Sequence, residues 1–492
     1  MMRMCIFLIF ALFLINSSIA QEGRPLGAFE NNTDVGDVGR EGFARYDPQS
    51  QVYFIGGSGA NMWGRADAFQ YLWKIMEGDF MLTANLRFLG AGGDPHRKAG
   101  WVIRKSLDPD APYADAIVHG DGLTSLQYRM SEGAETQELN KPAINAADVI
   151  RLEKMGNQYT MYAARKGQPF QQVGELRLEL GDQVYVGLGV CAHQQGALEM
   201  VEFSNVRIDR PVTEERQIMS RLEILDVYTG QREVFYKDKV HFEAPNWSRD
   251  GKYLIYNQEG RLYKISFDDK KPVMIETGFA DRCNNDHGFS PDGDQIAISH
   301  NTSEEGSIIY TVPTDGGAPR RITSQGPSYW HGWSPDGSTL AYCARRNDEY
   351  DIYTIPVAGG TETRLTNADG LDDGPDYSPN GNFIYFNSVR TGKMQVWRMN
   401  KDGSGERQLT TDQYNDWFPH PSPDGKWLVF VSYHPEVEGH PANKKVMLRM
   451  MPAEGGEPQV LAYLYGGQGT INVPSWSPDG RKVAFVSYTY PD

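Results

Sequence analysis

The chain has 492 residues, 40% of them apolar and 12% aromatic, with 64 acidic against 48 basic side chains and a formal charge of −16. Such a length supports more than one domain with its own core, and the acidic balance excludes nucleic acid or an anionic membrane surface as the main partner. Four cysteines are too few for a disulfide framework.

Residues 1–20 read as a signal peptide. Arg3 precedes an apolar run from Cys5 to Ile15, and Ser18-Ile19-Ala20 supplies the small residues of a cleavage site. Cleavage after Ala20 predicts a periplasmic or secreted protein. No later apolar run is long enough to span a membrane. Three cysteines then remain, Cys191, Cys283 and Cys343, so at most one disulfide is expected.

Residues 25–210 carry short apolar runs separated by glycine and Asp/Asn turns. Examples are Phe80–Ala84, Trp101–Arg104, Ser125–Arg129, Val149–Leu152, Tyr159–Tyr162, Val184–Leu188 and Val201–Val206. With no long 3.6-residue periodicity, this predicts a β-sandwich domain. The order of Gly78-Asp79-Phe80, Lys98–Arg104, Val186-Gly187-Leu188 and Phe203–Val206 resembles concanavalin-like (laminin-G-like) jelly rolls, many of which bind sugars. Arg104, Gln127 and Arg129 alternate with Ile103, Leu126 and Tyr128, so they share a face opposite the core. With His193 they are candidates for a glycan-binding groove; a plain solvated outer face fits the same pattern. Residues 211–220, with Pro211 and several charges, read as a linker.

From residue 221 to 492 one turn recurs six times. The copies start at Trp247, Phe289, Trp333, Tyr377, Pro421 and Trp476 and continue Ser-Pro-Asp-Gly or a close variant. Serine-to-serine steps are 42, 44, 44, 44 and 55 residues. A β-type run follows each turn, and a second hairpin follows in most units, so each repeat has the make-up of a propeller blade. The last unit stops after two strands, whereas Leu222–Asp226 and Glu233–Tyr236 precede the first turn. One blade is therefore expected to draw on both ends of the array, giving six blades and no open edge. The predicted fold is all-β: a jelly-roll sandwich followed by a closed six-bladed propeller.

The repeat resembles the TolB-family propeller, also seen in the non-catalytic propellers of prolyl-oligopeptidase-type enzymes. The resemblance covers roughly residues 221–492. It implies the fold more firmly than any function.

Candidate site residues follow from aligning the units on the turn serine. Five residues upstream stand Glu243, Asn285, Tyr329, Asp373, Trp417 and Asn472; His287 and His331 fall three residues upstream, with Asp286, Asp372 and Asp416 alongside. These positions open the innermost strands, so they should ring one mouth of the channel. Carboxylates, amides and imidazoles there suit a polar ligand, and the ring has room for a divalent cation, although no tight metal motif is present and no cofactor is expected. The fifth unit carries 11 extra residues between its second and third strands, within Tyr433–Lys445. They are expected to overhang the same mouth with His434 and His440, with Arg345 and Arg390 on the rim.

Two functions fit. The first is an exported binding or scaffold protein that engages an envelope protein, a peptide or another polar ligand at the propeller mouth, with glycan binding by the sandwich. No Gly-x-Ser-x-Gly nucleophile elbow occurs, which argues against peptidase chemistry. The second follows by resemblance to propeller-type polysaccharide lyases or glycosidases acting on acidic glycans. There His287, His331, His434 and His440 would be bases or metal ligands, and Arg345 or Arg390 would neutralise a uronate.

Overall fold

The computed structural model describes residues 25–90, 92–211 and 218–490. The signal-peptide assignment at residues 1–20 and most of the linker lie outside the described residues. Apart from one short helix, Gln468–Ile471, the described elements are β-strands. None of them is a helix long and apolar enough to cross a membrane.

Two seven-stranded antiparallel sheets come first. One runs, in spatial order, Asn31–Val35, Phe69–Glu77, Gln183–Cys191, Lys98–Arg104, Tyr113–His119, Leu123–Arg129 and Gln137–Asn145. The other runs Gln171–Arg177, Gln158–Ala164, Val149–Met155, Phe80–Leu89, Gln194–Asp209, Val52–Gly59 and Phe43–Asp47. Alternate residues of both, among them Leu82, Trp101, Leu126, Ile150, Leu188 and Phe203, meet in one apolar core. Period-2 alternation puts these on one face and Arg104, Gln127 and Arg129 on the other.

Six further sheets form the six-bladed propeller. Five have four strands each, beginning with Phe242–Trp247, Cys283–Phe289, Ser328–Trp333, Asp372–Tyr377 and Asn415–Pro421. In the sixth, Met219–Asp226 lies between Arg232–Asp238 and Lys482–Thr489, pairing antiparallel with each. An isolated bridge from Trp476 to Val483 extends it inward.

The recurring turn explains its own sequence. In each copy the glycine N–H donates to the serine carbonyl, for example Gly337 to Ser334 at 2.8 Å. The serine hydroxyl donates to the aspartate, as from Ser334 to Asp336 at 2.6 Å, and accepts the N–H of the next strand's first residue, Thr339, at 2.9 Å. Glycine closes the turn at positive φ, 72° in Gly337, where a Cβ would be strained.

The two units are joined by a buried charge cluster. Arg207 from the first donates to Glu223 in the sixth blade at 2.7 Å, and Arg232 grips the same carboxylate through Nε at 2.6 Å and Nη2 at 2.5 Å. Burial opposes ionisation of Glu223, but Arg232 and Arg207 hold its carboxyl well below the usual range.

Candidate ligand-binding site

The innermost strand of each of the first five blades carries a β-bulge next to the aligned column. Register slips between Glu243 and Asn246, Cys283 and His287, Trp330 and Gly332, Asp373 and Asp376, and Trp417 and His420. A bulge re-aims the side chains around it. The bulges fall at different points along the strands, so the second predicted column divides: His331 reaches the same cavity as Tyr329, whereas His287 does not join Asn285.

Glu243, Asn285, Tyr329 and Asp373 line one cavity of about 590 Å³, together with Asp286, His331 and His440. Asn285 Nδ2 donates to Glu243 Oε2 at 3.4 Å. Asp286 accepts from Asn284 at 2.7 Å and from Asn472 at 3.0 Å, which places Asn472 behind the wall rather than in it. The His331 ring is clamped, with Nδ1 3.4 Å from the Asn472 carbonyl and Nε2 3.2 Å from Asp373 Oδ1.

The electrostatics follow from this enclosure. Burial, reinforced by the charge of Asp286, raises the Glu243 carboxyl to about 7. Burial also lifts Asp286 to about 6, against the pull of His331. For His331, burial favours the neutral ring, but the hydrogen bond to Asp373 and the charges of Asp286 and Asp373 outweigh it and raise its pKa. Asp373 is held low by His331 in spite of its burial. The mouth therefore holds one firm ion pair and two carboxyls that titrate near neutrality, an arrangement suited to recognising a cationic or hydrogen-bonding group.

Several expectations need correction. His287 is fully buried and does not line the cavity, and its desolvated imidazolium is depressed to about 3. Asp416 is spent internally, accepting from Arg449 at 2.6 Å and Ser432 at 2.7 Å. The fifth-blade insertion sends only His440 to the mouth, where it packs edge-on against Trp417 at 4.4 Å; His434 faces a separate cavity. Arg390 is tied to Asp372 at 2.7 Å and to Glu406, while Arg345 pairs with Asp348 at 3.1 Å; neither lines the mouth. Among the described residues, no group of three or more His, Cys, Asp or Glu side chains is placed to hold a metal ion.

Residues missed by the alignment include Asn301 and Tyr350, at the connection between second and third strands of two blades. That connection was expected at this mouth in the fifth blade. Applied to every blade, the same rule finds both.

In the first unit, Arg104 and Arg129 do share the face away from the core, yet both are fully buried. The segments around Met62–Asp67, 106–111 and 134–136 lie over them. Asp67 accepts from Arg129 at 2.8 and 2.9 Å and stands 3.5 Å from Arg104. They therefore line no groove. Gln127 and His193 do border a shallow cavity of about 200 Å³, alongside Lys98, His119 and Trp63.

The model of the TolB β-propeller domain, PD40, matches residues 330–440. An uncharacterized protein of Agrobacterium fabrum is 51% identical over 270 residues, which is 55% of this chain and 92% of that protein. The chain belongs to the TolB-like propeller family. The solved structure of a candidate TolB from Agrobacterium tumefaciens is 50% identical to this TolB-like chain, covering 56% of it and 99% of the solved chain, with a TM-score of 0.55. TolB from Acinetobacter baumannii is 17% identical over 58% of this chain and 77% of its own, with a TM-score of 0.41.

Proposed function

We propose that this protein is an exported TolB-like binding or scaffold protein whose propeller mouth takes a cation-bearing segment of a protein or peptide, such as a free amino terminus or a lysine side chain. The observation that carries the reading is the convergence of Glu243, Asp286 and Asp373 on one open cavity, with His331 as the inner counter-charge. An ammonium group entering there meets carboxylates in surroundings partly shielded from water, where charge-assisted hydrogen bonds are stronger than in solution. The apolar run after Arg3 supports export, with the periplasm or the outside of the cell as the proposed destination.

The domain reading belongs to the same proposal: a concanavalin-like sandwich over residues 25–210, a linker at 211–220, and a propeller over 221–492 closed by both ends of its repeat array. Two stacked antiparallel sheets around one core support the sandwich. The pairing of Met219–Asp226 with Lys482–Thr489 supports closure.

A second reading, a glycan-cleaving propeller acting on acidic polysaccharides, draws its support from Glu243. A carboxyl titrating near 7 suits general acid–base work. The acidic mouth and the distance of Arg345 and Arg390 from it weigh against a uronate substrate.

Calorimetric titration with hexapeptides bearing free or acetylated amino termini, with and without lysine, tests the first reading. Binding is expected only for peptides with a free amine, weakening as salt rises and in Asp373→Asn. Equal binding of blocked, lysine-free peptides, or none at all, would overturn it. Unsaturated product from a uronate polymer would establish the second reading instead.

A further inference from the structure

A second cavity, about 820 Å³, lies where the first unit meets the fifth blade. Tyr162, Phe170, Tyr463 and Tyr414 line it, and the fifth-blade insertion contributes from His434 to Lys444. We infer that this cleft is a binding site for a neutral oligosaccharide, distinct from the propeller mouth and from the hidden face of the first sheet.

Phe170 and Tyr463 stack on each other across the two units with centroids 3.8 Å apart, and Tyr162 stands 6.4 Å from Phe170, so the rings make one composite aromatic surface at the cleft. The Arg151 guanidinium lies 4.6 Å over Phe170, which fixes that ring. Sugar rings offer C–H faces to such surfaces and hydroxyls to the polar groups between them. The size falls within the ~300–1,000 Å³ range of small-molecule sites, which favour domain interfaces.

The charges select a neutral ligand. Lys445 is neutralised by both oxygens of Glu153 at 2.8 Å, and Arg151 stands 3.7 Å from that carboxylate. Glu436 and Glu438 line the same cleft and offset Arg151 and Lys444, so the lining is balanced in charge and favours a ligand without net charge. One acceptor is left over: Asn443, held at φ 59°, has a buried Oδ1 without a hydrogen-bond partner. Such a group is costly unless a donor arrives, and a sugar hydroxyl is one.

An extended peptide fits less well, because it would need a free sheet edge. The outer strand of the fifth blade, Gln459–Gly466, already spends its edge on the first unit and the sixth blade: Val460 N–H donates to the Gly167 carbonyl at 2.8 Å, and the Tyr463 carbonyl accepts from Arg232 at 3.1 Å. The insertion itself is anchored, with Tyr433 donating to the Pro441 carbonyl at 3.1 Å and Asn415 to the Val437 carbonyl at 3.0 Å. It forms a built wall, which accounts for the extra residues of this blade.

The test is calorimetric titration of the full chain with cellohexaose, xylohexaose, maltohexaose, chitohexaose and an oligogalacturonate. At least one neutral hexasaccharide is expected to bind, with affinity falling about tenfold or more in Phe170→Ala and in Tyr463→Ala and unchanged in His331→Ala. Because a wall variant can unfold, the unmodified chain supplies a second measurement. The bound sugar should slow acetylation of Lys444, read by mass spectrometry, at least severalfold. No binding by any neutral sugar, preference for the oligogalacturonate, or an unaltered Lys444 rate would overturn the inference. Loss of binding in His331→Ala would move the sugar to the propeller mouth. Peptide titrations of that mouth stand or fall independently.

Discussion

Glu243 stores a pH-dependent cost in the fold that Glu243→Gln should remove. Its carboxyl rises from 4.5 to about 7 on burial in the mouth. At ~1.4 kcal/mol per unit this is a differential of about 3 kcal/mol, and solvent reaching the half-buried side chain reduces it to about 2 kcal/mol. The sign follows from linkage. A raised folded-state pKa favours the protonated form, so the contribution is fully present below pH 4.5 and is lost as the pH climbs through 7. Above that, the native state holds a carboxylate that the unfolded chain would ionise more easily. Glutamine mimics the neutral acid and can still accept from Asn285. The variant should match the parent at pH 4.5 and exceed it by about 2 kcal/mol at pH 8, as measured by urea unfolding at several pH values with m held constant. Asp286 is coupled to Glu243 through its charge, so the difference reports residue 243 together with that coupling. A gap that does not grow with pH, or a less stable variant at pH 8, would refute the assignment of the enclosed acid.

Three other outcomes are expected. Glu223→Ala leaves Arg207 and Arg232 buried without their carboxylate and should cost about 3–5 kcal/mol in denaturant unfolding. Asp67→Ala should destabilise the first unit by a similar amount, about 3–5 kcal/mol, because it leaves Arg104 and Arg129 buried without their carboxylate; near-ultraviolet circular dichroism of the variant on heating would show earlier loss of packing around Tyr71 and Tyr113, buried rings beside these arginines. Cys191, Cys283 and Cys343 are free and buried, with burial pushing the Cys191 thiol up to about 11 and the Cys283 thiol to about 12. A thiol reagent should therefore titrate none of them in the native protein at pH 8 and all three in denaturant.

The blades were legible because their signal is local. Each serine, aspartate and glycine of the turn bonds within five residues, so spacing alone exposes the repeat. The aligned column was legible in part: Glu243, Asn285, Tyr329 and Asp373 reach one cavity. The bulges were not, since nothing in the sequence announces where one strand takes an extra residue. They are what separate His331 from His287 and bring Asp286 into the wall. In the first unit the alternation correctly placed Arg104, Gln127 and Arg129 on one face. The cover over that face was invisible, because Asp67 stands 62 residues from Arg129 and a lone aspartate in a turn gives no sign of such a distant partner. Half the strands of the two large sheets also escaped notice. Tyr113–His119 is buried on both faces, and Gln137–Asn145 is mostly exposed, so neither alternates clearly.

The flap that ends in Asp67 has one more implication. Lys98, Arg104 and Arg129 form a floor of three cations, covered by the short hairpin Met62–Asp67, which brings its own anion, and by the segments at 106–111 and 134–136. Substitutions at the rim cannot open that floor, since the cover is backbone and carboxylate together. Cutting out the hairpin together with those two segments would convert a filled hollow into a cup with positive charge at its base, a starting point for engineering a receptor for sulfated or carboxylated sugars.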